Sequence, residues 1–189
     1  DGTTYTGEFA EGQVHGKGIL ELRDGRTFEG NFVEGKLDGH GRVVKTYPKE
    51  HQSGHKRYEG NLSLSCPERH QYHGADGKLE WYDGRTYVGE FAQGQVHGRG
   101  ILSFPEGHDN VKYDGQFVEG KHSGKGTMEW KDGRTYTGEF AEGQVHGKGI
   151  LTFAGKFIKR HTGKFVKSLA HGTADLELAH GRKIKVDFD

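Results

Sequence analysis

The sequence predicts an all-β fold, an open, single-layered antiparallel β-meander of tandem β-hairpins that repeat every 23 residues or slightly more. The stretch YTGEFAEGQVHGKGIL stands at residues 5–20 and again at 136–151, with a close variant at 87–102. Clean copies are 23 residues apart, as from Tyr113 to Tyr136. Within each copy, apolar and polar residues alternate. A fixed period is typical of repeat architectures, and alternation with a period of two is typical of strands with one apolar face.

Each copy is interpreted as one hairpin. In the first strand, Tyr136, Gly138 and Phe140 share one face and alternate with polar residues. Polar residues 141–144 supply the internal turn, and the glycine among them can adopt a positive φ. The return strand then places glycines and apolar residues on the face of Tyr136. An Asp-Gly pair stands between successive hairpins and predicts a tight two-residue turn there.

The glycines of the return strand predict a register. Glycine leaves the backbone bare, so an aromatic ring of the facing strand can lie flat on it. We therefore expect Phe140 opposite Gly147, and Tyr136 opposite Leu151. On the other face this register sets acidic residues opposite basic ones, and each such pair contributes roughly 0.2–1 kcal/mol. The expected pairs are Glu139 with Lys148, Glu8 with Lys17, and Glu90 with Arg99.

The repeats continue through the whole chain, which we interpret as one domain spanning residues 1–189. They begin near Tyr5, Phe28, Tyr58, Tyr87, Tyr113, Tyr136 and His161, and a partial eighth begins at Ile184. Polar insertions lengthen the connection after the second repeat, the internal turn of the third, and the connection after the fourth. The second repeat carries Lys45 where the other copies place a large apolar residue. The corresponding residues are Leu22, Trp81, Phe104, Trp130 and Phe153.

The seventh repeat is degraded. His161 replaces the first aromatic residue, Ser168 the turn glycine, and Ala174 the second glycine of the return strand. Together with the insertions, these changes predict where the array departs from its regular geometry.

The pattern Tyr-x-Gly-x-Phe followed by Gly and His-Gly-x-Gly resembles the MORN (membrane occupation and recognition nexus) repeat. The resemblance covers essentially the whole chain. One departure is that phenylalanine stands where the family often has tryptophan, at Phe9, Phe32, Phe91, Phe117 and Phe140. The resemblance implies an elongated, grooved, single-layered β-meander. It also implies a place in cytoskeletal, ciliary or membrane-junction assemblies.

Composition narrows the classes of function. Lys and Arg together number 27, as do Asp and Glu, so no global field attracts nucleic acid or anionic lipid. The single cysteine, Cys66, excludes an internal disulfide and is typical of a reducing compartment. No stretch reaches a transmembrane length, and no signal peptide is visible. We expect an intracellular, cytoplasmic protein, and the resemblance adds association with the cytoskeleton or a cilium.

The histidines do not predict a metal site. Four of them share one phase and precede a glycine: His15, His97, His146 and His171. Neighbouring hairpins are about 10 Å apart, whereas zinc holds its ligand atoms at about 2.1 Å. A looser group lies in two loops that a meander places on opposite edges, and it comprises His51, His55, Cys66, His70 and His73. This group lacks paired ligands at both ends. We expect no metal and no other cofactor.

No residue pattern predicts catalysis. Glu8, Glu90 and Glu139 each have an expected basic partner, and none has an apolar pocket to raise its pKa. The sequence contains neither a G-x-S-x-G nucleophile elbow nor a phosphate-binding G-x-x-x-x-G-K-[ST] loop. The protein is predicted not to be an enzyme.

The aromatic row is the predicted partner-binding surface. A single-layered sheet has no second layer to cover this face, so part of the row should stay exposed, and exposed apolar strips mark partner sites. The predicted contact residues are Tyr58, Trp81, Tyr87, Phe91, Phe104, Tyr113, Phe117, Trp130, Tyr136, Phe140 and Phe153. We expect a scaffold that holds an extended or helical segment of another protein in a larger assembly, with the inserted loops selecting the partner.

Two alternatives stay open. The family name implies attachment to phospholipid membranes. The chain, however, lacks a polybasic cluster, in which each Lys or Arg contributes about 1 kcal/mol to binding an anionic membrane. The array could also regulate a larger enzyme, as in MORN-bearing lipid kinases and a MORN-bearing lysine methyltransferase.

The C-terminal strand is a second predicted contact. Ile184, Val186 and Phe188 form the apolar face of a strand that is predicted to have no partner within the chain. Soluble proteins pair, cover or charge such edges. We expect this edge to bind a partner subunit or a second copy of the chain, which would give a homodimer through the terminal repeats.

Overall fold

The structure is a computed structural model that describes residues 2–40, 42–63 and 71–188. The chain forms two compact units, Asp1–Val96 and His97–Asp189. The described residues contain no helix, and therefore no helix that could cross a membrane. The predicted all-β, antiparallel meander of consecutive hairpins is confirmed. That all 189 residues form one domain stays a prediction.

The first unit is a meander with one interrupted repeat. Its strands are β1 (Thr4–Ala10), β2 (Gln13–Glu21), β3 (Thr27–Val33), β4 (Lys36–Leu37), β5 (Val43–Thr46), β6 (His55–Ser63), β7 (Gln71–Trp81) and β8 (Thr86–Ala92). Hydrogen-bonded neighbours follow the order β1-β2-β3-β5-β6-β7-β8, and β4 pairs with β3. The return segment of the second repeat is thus divided between β4 and β5.

The second unit is regular. β9 (Gln95–Ser103) begins in the last residues of the first unit and continues into the second. The strands that follow are β10 (Asn110–Val118), β11 (Lys121–Trp130), β12 (Thr135–Ala141), β13 (Gln144–Thr152), β14 (Ile158–Val166), β15 (Leu169–Leu178) and β16 (Lys183–Phe188). They pair antiparallel in chain order from β9 to β16. The third repeat (β6–β7) and the seventh (β14–β15) keep their hairpins despite their irregular sequences.

The internal turns that the structure describes each have two left-handed residues. In the sixth repeat Ala141 pairs with Gln144, and between them Glu142 has a φ of 50° and Gly143 a φ of 81°. Two positive φ values define the type I′ turn, whose twist matches that of the flanking strands. The same geometry recurs at Glu11–Gly12, Glu34–Gly35, Gln93–Gly94, Glu119–Gly120 and Lys167–Ser168. The seventh repeat therefore keeps the turn although it has lost the glycine.

Ser168→Gly is expected to raise the free energy of unfolding by about 0.5–1 kcal/mol. Left-handed backbone costs a residue other than glycine roughly 1–2 kcal/mol, part of which the greater freedom of glycine in the unfolded chain offsets. Ser168 has a φ of 67° and an exposed side chain. Urea unfolding measures the effect, and Gly143→Ser in the sixth repeat is the matched reverse change. A lower stability of Ser168→Gly would contradict this account of the turn.

The connection between hairpins is longer than expected. The Trp130 N–H donates to the Arg134 carbonyl (3.0 Å), and the Gly133 N–H donates to the Trp130 carbonyl (3.0 Å). Residues 131–133 therefore form a three-residue loop that ends on Gly133, with a φ of 81°. The prediction of a two-residue turn was wrong because Asp132 is not left-handed. Its carboxylate instead accepts the Arg134 backbone N–H (3.0 Å) and Nε–H (2.7 Å).

A β-bulge in the return strand shifts the predicted register. The observed pairs are Tyr136–Leu151, Gly138–Gly149, Glu139–His146 and Phe140–Val145. The pair Tyr136–Leu151 is confirmed, but Glu139 does not face Lys148 and Phe140 does not face Gly147. The first repeat has the same bulge, so Glu8 does not face Lys17 either. The pair Glu90–Arg99 stays a prediction.

The bulge forms at the glycine that follows histidine. Gly147 is left-handed, with a φ of 60°, and a Cβ there would collide with the carboxylate of Glu139. In the fifth repeat Gln116 takes the place of this glutamate, and its Oε1 accepts the backbone N–H of Lys125 (3.2 Å). The side chain before the second aromatic residue thus closes the bulge, which is why Glu139 and Lys148 do not form the expected cross-strand pair.

The contact between aromatic residue and glycine exists, but it joins neighbouring repeats. Each second aromatic residue after Phe9 faces the bulge glycine of the repeat before it. The pairs are Phe32–Gly16 and Phe91–Gly74 in the first unit, and Phe117–Gly98, Phe140–Gly124 and Phe165–Gly147 in the second. Each repeat therefore depends on its predecessor to cover its ring, as expected for a quasi-one-dimensional array.

Candidate functional site

The tyrosines that begin the third to sixth repeats lie at the centre of the packed face. Tyr58, Tyr87, Tyr113 and Tyr136 are each 0% exposed. The Tyr136 ring lies over the glycine pair formed by β12 and β13, because a Cβ on Gly138 would come within 2.5 Å of the phenol oxygen. A ring can approach the backbone this closely only where no side chain intervenes.

The hydroxyl of this tyrosine binds the bulge. The Tyr136 hydroxyl lies 3.1 Å from the carbonyl oxygens of both Glu139 and His146, and Tyr113 makes equivalent contacts. Burial raises the pKa of both phenols to about 12, so each keeps its proton and donates it. Phe28 lacks the hydroxyl and begins the repeat whose return segment is interrupted.

The second aromatic residue is buried by the preceding repeat. Phe140 packs edge-on against Tyr136 of its own strand at 5.2 Å between ring centroids, and against Tyr113 of the fifth repeat at 4.9 Å. Phe91, Phe117 and Phe140 are 3%, 2% and 4% exposed. These rings hold the repeats together and present almost no surface to a partner.

Four of the predicted contact residues remain accessible. Trp81, Phe104, Trp130 and Phe153 stand at or just after the ends of return strands and are half-buried. The guanidinium of Arg134 lies 5.4 Å from the Trp130 ring centroid, and that of Arg85 lies 5.1 Å from Trp81. Such cation–π contacts are worth about 0.5–1 kcal/mol at exposed sites, so each arginine holds its tryptophan in place.

The structure therefore divides the eleven predicted contact residues into two groups. Seven are buried in the packed face: Tyr58, Tyr87, Phe91, Tyr113, Phe117, Tyr136 and Phe140. The other four lie where return strands meet the connecting loops. The expectation that part of the row stays exposed applies to these four. That they bind a partner stays a prediction.

Phe157, which the sequence did not predict as a contact residue, is 85% exposed. It stands in the connection after the sixth repeat, where Ala-Gly-Lys-Phe replaces the usual Asp-Gly turn, and that change was its signal. Phe157 and Phe153 line a groove of about 340 Å³, and Trp130 lines one of about 760 Å³. Asp132 and Arg134 belong to both grooves. We call the side chains Phe104, Trp130, Phe153 and Phe157 of the second unit the aromatic ledge.

Comparison with known proteins agrees with this geometry. A family model of the MORN repeat matches residues 5–25, 28–44, 87–108, 113–133 and 136–156, which is more than half of the chain. The chain belongs to the MORN repeat family. MORN repeats are commonly protein–protein or membrane interaction modules, and the family is a non-enzymatic repeat module. The matched ranges leave out the repeats that begin at Tyr58 and His161, although both fold as hairpins.

The MORN array also resembles a solved structure. This is the TCP domain of SAS-4 (dCPAP) of Drosophila melanogaster, in complex with a proline-rich motif of Ana2 (dSTIL). The TM-score is 0.52 at 12% sequence identity, and the match covers 92% of this chain and 84% of that chain. At this identity the likeness shows a shared fold. No curated protein sequence matches the chain.

The C-terminal strand of the MORN array has a partner within the chain, contrary to the prediction. β16 pairs with β15 through Leu176–Ile184, Ala174–Val186 and Gly172–Phe188. Phe188 faces a bulge glycine as the aromatic residues of complete repeats do, and its ring stacks on His161 at 5.2 Å. Ile184, Val186 and Phe188 are half-buried. That this strand contacts another protein stays a prediction.

The second MORN repeat contains a buried cation. Lys45 faces Phe28, so it takes the position that leucine or methionine holds in other repeats, and not the position of Trp130 that the sequence suggested. Tyr47, two residues later, takes the tryptophan position. The alignment of Lys45 with Trp130 was wrong by two residues, because the interrupted return segment of the second repeat cannot be aligned by its spacing to the other repeats.

Aromatic rings surround the ammonium group of Lys45. It lies 5.0 Å from the ring centroids of Phe28 and Tyr47 and 5.8 Å from that of Tyr72, and the residue is 7% exposed. Burial lowers the pKa of Lys45 to about 8. Nearby, the Tyr72 hydroxyl is hydrogen-bonded to the Tyr47 hydroxyl and lies 3.0 Å from His55 Nδ1. Burial lowers the pKa of His55 to about 4, so its imidazole is neutral.

Of the looser group of candidate metal ligands, His51, His55 and His73 lie in the part of the chain that the structure describes. In the part of the chain that the structure describes, no three His, Cys, Asp or Glu residues are grouped to hold a metal ion. Cys66 and His70 lie outside the described residues. His51 and His55 pack against the Tyr47 ring at 4.9 and 5.5 Å between centroids. These two histidines therefore serve the packing of the inserted loop after the second repeat.

Proposed function

We propose that this chain is a non-enzymatic MORN interaction module that holds an extended segment of a partner protein along the aromatic ledge. The observation that carries the proposal is the exposure of large rings outside the packed face. Phe157 is 85% exposed, and the three other rings of the ledge are half-buried. Clustered apolar side chains left in water on a soluble protein mark contact sites.

The shape of the ledge favours an extended, proline-rich partner. Its two grooves adjoin at Asp132 and Arg134, whose carboxylate and guanidinium lie 2.7 Å apart and supply polar contacts between the apolar rings. Proline-rich segments bind aromatic-lined grooves in the polyproline II conformation, which loses little entropy on binding. The proline-rich motif bound to the SAS-4 domain supports this class of partner for a sheet of the same fold.

The setting that we propose is a multi-subunit assembly of the cytoplasm, cytoskeletal or ciliary, in line with the MORN resemblance. In it the β16 edge, with Ile184, Val186 and Phe188, contacts a partner subunit or a second copy of the chain. The half-buried apolar face of this strand supports such a contact.

A proline-rich peptide tests the proposal directly. The chain has two tryptophans, so a Trp81→Phe variant leaves Trp130 of the ledge as the only indole. Titration with decaproline should change the Trp130 emission and saturate. In that background, Phe153→Ala with Phe157→Ala should weaken binding at least about tenfold, because aromatic anchors dominate interface energies.

Phe9→Ala is the matched control, because it removes another exposed phenylalanine, 63% exposed, from the first unit. Equal weakening by Phe9→Ala, or unchanged binding after loss of Phe153 and Phe157, would contradict the proposed site. Binding to phosphatidylserine vesicles without any response to the peptide would instead favour membrane attachment. Tyr113→Ala does not test binding, since Tyr113 is 0% exposed and its loss removes packing.

A further inference from the structure

A row of basic side chains crosses the second unit on the face opposite the tyrosine rings. It consists of Arg99, Lys125, Lys148 and Lys164, on β9, β11, β13 and β14. The strand register aligns them, with Gln116 opposite Arg99, Glu139 opposite Lys125, and Lys164 opposite Lys148. All four are exposed. We call these four side chains the basic row.

Arg99, Lys125 and Lys148 of the basic row line a groove of about 520 Å³, and Lys164 lies one strand beyond it, opposite Lys148. Its floor is the bare backbone of Gly115, Gly126 and Gly138, which pair across β10, β11 and β12. Its far wall contains Asp114 beside Thr127 and Thr137, and the two threonine hydroxyls lie 3.1 Å apart. The groove thus has three cations and Glu139 along one wall, two hydroxyls and the Asp114 carboxylate along the other, and exposed backbone between them.

The lysines of the basic row have no ion-pair partner in the described part of the chain, whereas several other basic residues of the unit do have one. The ion pairs elsewhere in the described part of this unit are Lys112–Glu129, Lys121–Glu142, Arg134–Asp132, Lys159–Glu177 and Arg160–Glu177. No ion pair of residues 71–188 involves Lys125, Lys148 or Lys164. The carboxylate of Glu139, which stands in the same row, reaches over Gly147 and closes the bulge. Its charge is therefore held at the bulge.

Two of these lysines oppose one another. Lys148 and Lys164 are direct cross-strand partners. Like charges at such positions destabilise a sheet, and a residue that breaks a local rule without compensation is a candidate for function. A ligand that places carboxylates between the two ammonium groups would remove the repulsion.

We infer that this groove binds an acidic peptide segment in extended conformation. Strands about 4.8 Å apart place Arg99 and Lys164, five strands apart, about 24 Å from each other, which is the length of seven or eight extended residues. Alternate acidic side chains of such a segment face the basic row, and its backbone lies over the glycines. The inference does not depend on the aromatic ledge, because it concerns another surface and a partner of different chemistry.

Fluorescein-labelled octaglutamate is the probe, and fluorescence anisotropy at low salt is the measurement. The wild-type chain should bind it with an affinity that falls as salt screens the charges, and should not bind octaglutamine. Lys148→Glu with Lys164→Glu should weaken binding about tenfold or more. The control variant, Lys131→Glu with Lys156→Glu, changes the net charge by the same amount as the first double variant, but in two connecting loops of the same unit. Its affinity for the peptide should stay within about twofold of wild type.

Lys164→Glu alone separates binding from stability. It converts a like-charge pair into an opposite-charge pair with Lys148, so the thermal midpoint should rise while peptide affinity falls. A purely structural role of the row would not give this combination. If the double variant fails to fold, this single variant carries the test.

Three results would overturn the inference. The first is the absence of octaglutamate binding by the wild-type chain. The second is an equal loss of affinity in the Lys131→Glu, Lys156→Glu control, which would show an effect of net charge alone. The third is displacement of the peptide by phosphatidylserine vesicles at lower concentration than by unlabelled octaglutamate, which would assign the row to a membrane surface.

Discussion

Replacing Phe140 by alanine is expected to lower the free energy of unfolding by about 3–5 kcal/mol, the usual cost of removing a buried ring. The same replacement of Phe9 is expected to cost less than about 1 kcal/mol. The two residues stand in identical stretches of sixteen residues, 136–151 and 5–20. Phe140 is nevertheless 4% exposed and Phe9 63% exposed.

The difference comes from the neighbouring repeat. Phe140 faces Gly124 and packs against Tyr113, and both belong to the repeat before it. Phe9 lies in β1, which pairs only with β2 among the described strands, and its ring contacts Tyr5 at 5.3 Å. The comparison of Phe9 with Phe140 therefore keeps the local sequence the same and changes only the residues that pack against the ring.

Urea unfolding followed by circular dichroism measures both variants. Because repeat arrays can unfold in parts, native-state hydrogen exchange on β12 and β1 should accompany it. Similar losses for Phe9→Ala and Phe140→Ala would mean that the hairpin alone, and not its predecessor, determines the contribution of the ring. Tyr5 and Tyr136 offer a second matched pair by the same reasoning.

The sequence was sufficient to predict the hairpins and half of their register. Alternation and the 23-residue period predict the strands, and Tyr136 does face Leu151. The register beyond Gly138 could not be predicted in the same way. A glycine shows that left-handed backbone is allowed, but not that it is adopted, and Gly147 adopts it where the Glu139 side chain closes the bulge.

The sequence predicted on which face of the sheet the residues of the candidate site lie, but not how exposed each of them is. Alternation shows that Tyr113, Phe117 and Trp130 share a face, yet Tyr113 is 0% exposed and Trp130 half-buried. Their exposure depends on which rings of adjacent repeats cover them, and a pattern within one repeat contains no such information. Phe157 was missed because it belongs to a connecting loop, where periodicity predicts nothing.

Lys45→Met is expected to raise the free energy of unfolding by up to about 3 kcal/mol near neutral pH. Burial lowers the pKa of Lys45 from 10.5 to about 8, and each pKa unit corresponds to about 1.36 kcal/mol of differential stabilisation. The rings of Phe28, Tyr47 and Tyr72 offset part of this cost by attracting the ammonium group. Methionine has similar length and flexibility and carries no charge, so it fills the same space without the burial cost.

The pH dependence gives the sharper test. Below about pH 8 both the folded and the unfolded chain hold the Lys45 proton, so the cost of the buried charge is fully present. Between pH 8 and 10.5 the unfolded chain holds the proton and the folded chain releases it, so stability rises with pH. The Lys45→Met variant lacks this rise. The difference in free energy of unfolding between wild type and Lys45→Met should therefore narrow as the pH increases from about 8 to 10.5.

Measurements of urea unfolding from about pH 7 to about pH 9.5 isolate this effect. At higher pH the buried tyrosines act in the opposite direction, because burial raises the pKa of Tyr58, Tyr113 and Tyr136 to about 12 and their ionisation favours unfolding. Lys17→Met in β2, which removes an exposed lysine from the same unit, is the control and should change neither stability nor its pH dependence appreciably. A Lys45→Met protein that is less stable than wild type near neutral pH would show that attraction by the three rings outweighs the cost of burying the charge.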